Sequence, residues 1–200
     1  MREPQPRETP AEFMAALHSL RGAAARPEIE LAEIRAPQLI APFAVALSGD
    51  VQDILPDGVV HGPGRPADRH HGDGRFVLLH DPDGNGSWGG SFRIVVLARS
   101  TMDPELAADP LLPQVMWDWL DDALEMCGAE NHMRAGTVTR ALSHSFGVLD
   151  DPHESVEVEL RASWTPQGDD FSSHLTAWTE LLCMCAGLEP GRERISVVKS

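Results

Sequence analysis

Arg75-Phe-Val-Leu-Leu-His80 and Phe92-Arg-Ile-Val-Val-Leu-Ala-Arg99 are two runs of β-forming residues, and Asp81-Pro82-Asp83-Gly84-Asn85-Gly86 lies between them. Gly and Asn tolerate the positive φ of tight turns, so the segment predicts an antiparallel hairpin. A second pair of β runs follows, at 137–146 and 155–164. In the latter, Val156, Val158, Leu160, Ala162 and Trp164 alternate with Glu157, Glu159 and Arg161. That is the pattern of a strand with one buried and one wet face. A shorter run, Phe43 to Leu47, reads as a strand ended by Ser48-Gly49-Asp50.

Helical periodicity occupies the ground between. Thr9-Pro10-Ala11-Glu12 has the form of a capping box with Pro at the first helical position. Phe13, Ala16, Leu17 and Leu20 give that helix one apolar stripe, and Gly22 stops it. Residues 110–127 place Leu112, Val115, Met116, Trp119, Leu120, Ala123 and Cys127 on one face. Asp118, Asp121, Asp122 and Glu125 take the other, and Gly128 is the stop. A last helix starts at Asp169 or Asp170 and buries Phe171, His174, Leu175, Trp178, Leu181, Leu182 and Cys185. The order α-β-β-β-α-β-β-α predicts a two-layer α+β domain, an antiparallel sheet of about five strands packed by helices. Its topology is similar to that of secretion chaperones. One domain spans 9–187, between a loose tail of 1–8 and a C-terminal tail of 188–200.

The chain has 200 residues, 16 basic and 31 acidic, for a net charge of −15. Nucleic-acid binding draws on a basic patch that releases counterions from phosphates, and no Lys/Arg run here exceeds two residues. Neither direct nucleic-acid contact nor an anionic membrane is therefore expected, whereas a protein partner or a homodimer is compatible. No apolar run nears the roughly 20 residues of a bilayer span. The start has no signal-peptide pattern, and three Cys, an odd count, argue against a disulfide framework. The cytoplasm is the expected compartment.

Several motifs dissolve on inspection. Gly84-Asn85-Gly86-Ser87-Trp88-Gly89 spells G-x-G-x-x-G, but a dinucleotide site needs a helix to begin there, and a strand follows. Asp81, Asp83 and Asn85 imitate half of a calcium loop whose bidentate acid would fall on Phe92. Asn85-Gly86-Ser87 is a glycosylation sequon, which has meaning only in secretion. A hairpin turn with Trp88 over the sheet accounts for all three. Cys183 and Cys185 sit about 200° apart on a helix, badly placed to share a metal. Ser143, His144 and Ser145 alternate along one strand, and His144 and His174 read as inward core histidines. No catalytic residue and no cofactor is expected.

Two functional readings lead, ahead of a third in which the protein is an accessory to RNA processing through a protein partner. In the first, the protein is a non-enzymatic adaptor or chaperone-like binder. Trp117 falls outside the apolar stripe among Asp118, Asp121 and Glu125, and Trp is enriched at binding hot spots. In the second, it is a metal- or small-molecule-dependent enzyme using the Gly-, Asp- and His-rich segment 49–74. His61, His70 and His71 of that segment, with His80 beyond it, would supply imidazole ligands.

The stretch from Phe92-Arg-Ile-Val-Val-Leu to Met102-Asp-Pro-Glu-Leu-Ala runs on into Pro113-Gln-Val-Met-Trp-Asp-Trp-Leu. With Ser163-Trp-Thr-Pro166 and Trp178-Thr-Glu-Leu181, it resembles an actinobacterial family known only as domain of unknown function number three thousand. The resemblance covers about residues 9 to 187. It implies no activity and carries no site residues. Fifteen Arg to one Lys, with no Tyr, fits a GC-rich genome.

Overall fold

The computed structural model describes residues 8–37, 39–52, 72–143 and 156–191. The elements are α1 (Ala11–Leu20), β1 (Ile29–Ile34), β2 (Phe43–Val51), β3 (Gly72–Asn85), β4 (Gly90–Met102), α2 (Pro104–Ala107), α3 (Leu112–Met126), β5 (Asn131–Leu142), β6 (Val156–Pro166) and α4 (Phe171–Cys185). The strands form one sheet in the order β1-β2-β3-β4-β6-β5, every pair antiparallel. Helix α4 packs on β2, β3 and β4, with α3 and α1 against it. The two-layer α+β architecture thus stands, with a fourth strand ahead of the long middle helix. That strand, β1, is an edge with one neighbour, so it buries only Ile29 and shows no continuous apolar face.

The hairpin forms where the sequence placed it. β3 and β4 pair from Gly72↔Ser100 to His80↔Phe92, slip at a bulge, and close at Asn85↔Gly90. The Asp81 carboxylate accepts from the Asp83 amide, and the Asn85 side chain accepts from Ser87, so the half-calcium loop is a set of turn bonds. The inward residues of β6 are all buried as alternation required. β5 runs from Asn131 to Leu142, six residues earlier at its start than the 137–146 run.

Gly49 and Gly74 are cross-strand partners, and Gly74 also pairs with Ala98. The three small residues make a trough across β2, β3 and β4 that takes the indole of Trp178. A Cβ on Gly49 would lie 2.7 Å from Trp178 Cη2. Trp178 is fully buried, tilts against Phe76 and donates from Nε1 to the Leu97 carbonyl at 3.1 Å. Ser48-Gly49-Asp50 is therefore strand, not turn, because the glycine there admits a side chain from the other layer. Residues 72–74 likewise belong to β3 rather than to a loop.

α4 is buried nearly all round, not along a stripe. Asp170 caps it, its carboxylate accepting from the amides of Ser172 and Ser173. Cys183 and Cys185 are both core, and burial pushes each thiol up to about 12. Arg26 covers the outer side of α4. It binds Glu180 at 3.3 Å, Glu28 at 2.8 Å and the Glu189 carbonyl at 2.6 Å. α1 departs from the sequence reading, since its N-cap is Pro10 and no side chain caps it. Pro10 thus stands one position ahead of the first helical residue, where its carbonyl accepts from the Met14 amide at 3.0 Å.

Candidate functional site

α3 meets the core through Leu112, Met116, Leu120, Ala123 and Leu124. Trp117 and Trp119, two positions apart, flank this stripe on opposite edges. Trp117 is half-buried rather than free: its ring lies over Gly136 of β5, where a Cβ would strike it. Beside it, Asp121 is ion-paired with Arg134. Asp118 and Glu125 are exposed, and Asp118 accepts from Gln114 at 2.8 Å. The four residues picked out by sequence thus divide between a strand contact and an open acidic edge.

Periodicity puts Trp119 and Val115 on the core stripe, and in the structure both lie further out. Leu111 is 67% exposed, Val115 37% and Met126 47%, with Trp119 half-buried between them. At 100° per residue these four lie within about 80° of arc, a second apolar ridge beside the buried one. The ridge borders a groove of about 710 Å³, lined by Trp119, Ala123, Met126, Met184, Leu188 and Pro190. Asp122, Glu125 and Glu189 stand on its rim. A binary pattern could not separate Trp119 from the core, because the groove's other wall comes from residues 184–190, distant in sequence.

That wall is built by a helix stop used twice. α3 and α4 both end in a Schellman turn: the Ala129 amide donates to Leu124 O and the Leu188 amide to Cys183 O. Gly128 and Gly187 supply the left-handed residue, with φ of 65° and 78°. The second turn aims Leu188 into the groove. Gly187→Ala should lower the unfolding free energy by about 1 kcal/mol, since a Cβ is disfavoured at that φ. Urea denaturation measures it, and an unchanged midpoint would refute the assignment.

The histidines lie elsewhere. His80 is fully buried between the rings of Phe92 (4.2 Å) and Phe13 (5.8 Å). Its Nδ1 donates to Ser91 O at 3.2 Å, and its Nε2 has no partner among the described residues. His61, His70 and His71 lie outside the described residues, as do His144, Ser145 and most of segment 49–74. Among the described residues no three His, Cys, Asp or Glu converge as a metal site would require. His174 is an inward histidine as expected. Its Nδ1 accepts from Trp164 Nε1 at 3.1 Å, and burial brings its pKa down to about 4.

Two further concavities are of other character. A cleft of about 680 Å³ at the end of the sheet has a more polar wall, including Glu12, His132 and Asp169. A smaller one of about 360 Å³ between α1 and β1–β2 carries Arg21. No helix among the described residues is long and apolar enough to cross a membrane. The family model described as "Protein of unknown function (DUF3000)" matches residues 9–195. No curated protein and no solved structure matches the chain.

Proposed function

We propose, from the premise that the chain belongs to the DUF3000 family, that it is a non-enzymatic adaptor or chaperone-like protein of the cytoplasm. It would hold an apolar segment of a protein partner in the groove beside Trp119. The observation that carries this reading is the exposed ridge of Leu111, Val115, Trp119 and Met126 next to a concave apolar wall. Apolar side chains exposed together beside a concave apolar wall are costly to leave in water and mark contact sites. Trp and Met suit the role, the first as an anchor and the second as an adaptable wall. Asp118 and Glu125 border the same helix face, so the acidic edge belongs to this surface.

A photo-crosslinking residue at Met126, compared with one at exposed Glu33, tests the reading in living cells. One discrete heterologous product from position 126, absent from position 33, is expected. No product at 126, or the same products from both positions, would sink the proposal.

A further inference from the structure

We infer that the occupant of the Trp119 groove is a cationic amphipathic helix, with apolar anchors on one face and Lys or Arg at its borders. This rests on the groove being a docking site and specifies what docks. Three observations select the charge. Asp122, Glu125 and Glu189 stand on the rim, and none has an ion-pair partner among the described residues. Asp121, Glu28, Glu180, Asp73 and Glu159 by contrast each hold an arginine. Both helices that build the groove end at it, and neither has a basic residue in its last turn. Helix C-termini carry partial negative charge; at the α4 end Arg26 already reaches the Glu189 carbonyl, so the charge left for a ligand is that of the α3 end and of the rim carboxylates. The cavity between α1 and β1–β2, which carries Arg21, lacks this bias.

The form of the occupant follows from shape. From Leu111 to Met126 the ridge is about 22 Å long at 1.5 Å per residue, room for a helix of about three to four turns. A neutral apolar segment would strip water from the rim carboxylates and return nothing. An anionic one would be repelled, while a cationic one is also drawn in by the net charge of −15.

The test uses the full chain and three labelled helical peptides of one apolar pattern, their flanks carrying Lys/Arg, Gln or Glu. Fluorescence anisotropy reads binding at low salt and at about 0.5 M salt, where exposed charges are screened. The cationic peptide should bind at least about tenfold tighter than the Gln peptide and lose that advantage in high salt. Trp119→Ala should weaken it at least about tenfold. The triple change Asp122→Asn, Glu125→Gln and Glu189→Gln should remove the charge preference without weakening the Gln peptide, which no longer strips water from charged carboxylates.

Equal binding of the Gln and cationic peptides would overturn the inference and leave the docking site standing. Binding of the cationic peptide unchanged by Trp119→Ala would show general attraction to an acidic protein and overturn it too. So would loss of a dimer on Trp119→Ala, which would give the groove to a second copy. If no peptide binds while the Met126 crosslink persists, the inference fails and the docking site does not.

Discussion

Trp178→Ala should lower the unfolding free energy by about 3–5 kcal/mol, the range for removing a buried Trp from a core that cannot collapse. The site cannot collapse because its floor is backbone. Gly49, Gly74 and Ala98 are already the smallest residues available, and their strands are fixed by ladder bonds on both sides. Nothing beneath the indole can rise to fill its place. The change also removes the hydrogen bond from Nε1 to the Leu97 carbonyl, a further loss on top of the cavity. Trp178→Phe, which keeps most of the ring area but not the donor, should cost distinctly less. Urea unfolding followed by circular dichroism measures both. A loss below about 1 kcal/mol for Trp178→Ala would mean that the trough closes, against this account.

Acid should destabilise the fold through His174 before ordinary carboxylates are fully protonated. The unfolded chain takes up this proton at about 6.5, while burial holds the folded side chain down to about 4. Stability is therefore complete above 6.5, falls as the pH drops through that interval, and stops falling on this account below 4. The gap corresponds to about 3 kcal/mol. His174→Gln keeps an acceptor for the Trp164 indole and has no proton to gain. It should be less stable at neutral pH and lack the slope between pH 6.5 and 4. Parallel slopes in the two proteins would remove His174 as the cause. Asp170, next to the ring, opposes the effect through its charge without cancelling it.

How much of this could be read from the chain depended on where the cause of each feature lay. The alternation of β6 is a local property, and all its inward residues are buried. The β3–β4 hairpin was equally plain, since its turn chemistry sits in one short stretch. Gly49 was misread because its reason is a Trp more than a hundred residues away. In isolation, Ser-Gly-Asp looks like a chain reversal. The same holds for α3. Periodicity assigns residues to a face but does not say how wide a face the partner covers. The buried stripe leaves out Val115 and Trp119 and takes in Leu124, and the two displaced residues join Leu111 and Met126 in the ridge. Trp117 stood among acids in the sequence, and only the strand carrying Gly136 shows why it does not stay free. Family membership was legible in the motifs around Phe92, Pro113 and Trp178, and the match extends to residue 195.

The sheet order has a consequence for biosynthesis. β4 has only β3 and β6 as neighbours, and β6 follows it in sequence by more than fifty residues. On the ribosome, β1 to β4 can assemble as a meander as they emerge, but that meander carries an open edge along the whole of β4. The edge stays unpaired until Val156–Pro166 has cleared the exit tunnel and brought β5 with it as a ready hairpin. α4, whose Trp178 locks the trough, arrives later still. For that interval the nascent chain displays a long hydrophobic strand, the kind of edge on which other chains assemble. Chaperone protection of this protein should be concentrated in the window between synthesis of Met102 and of Cys185.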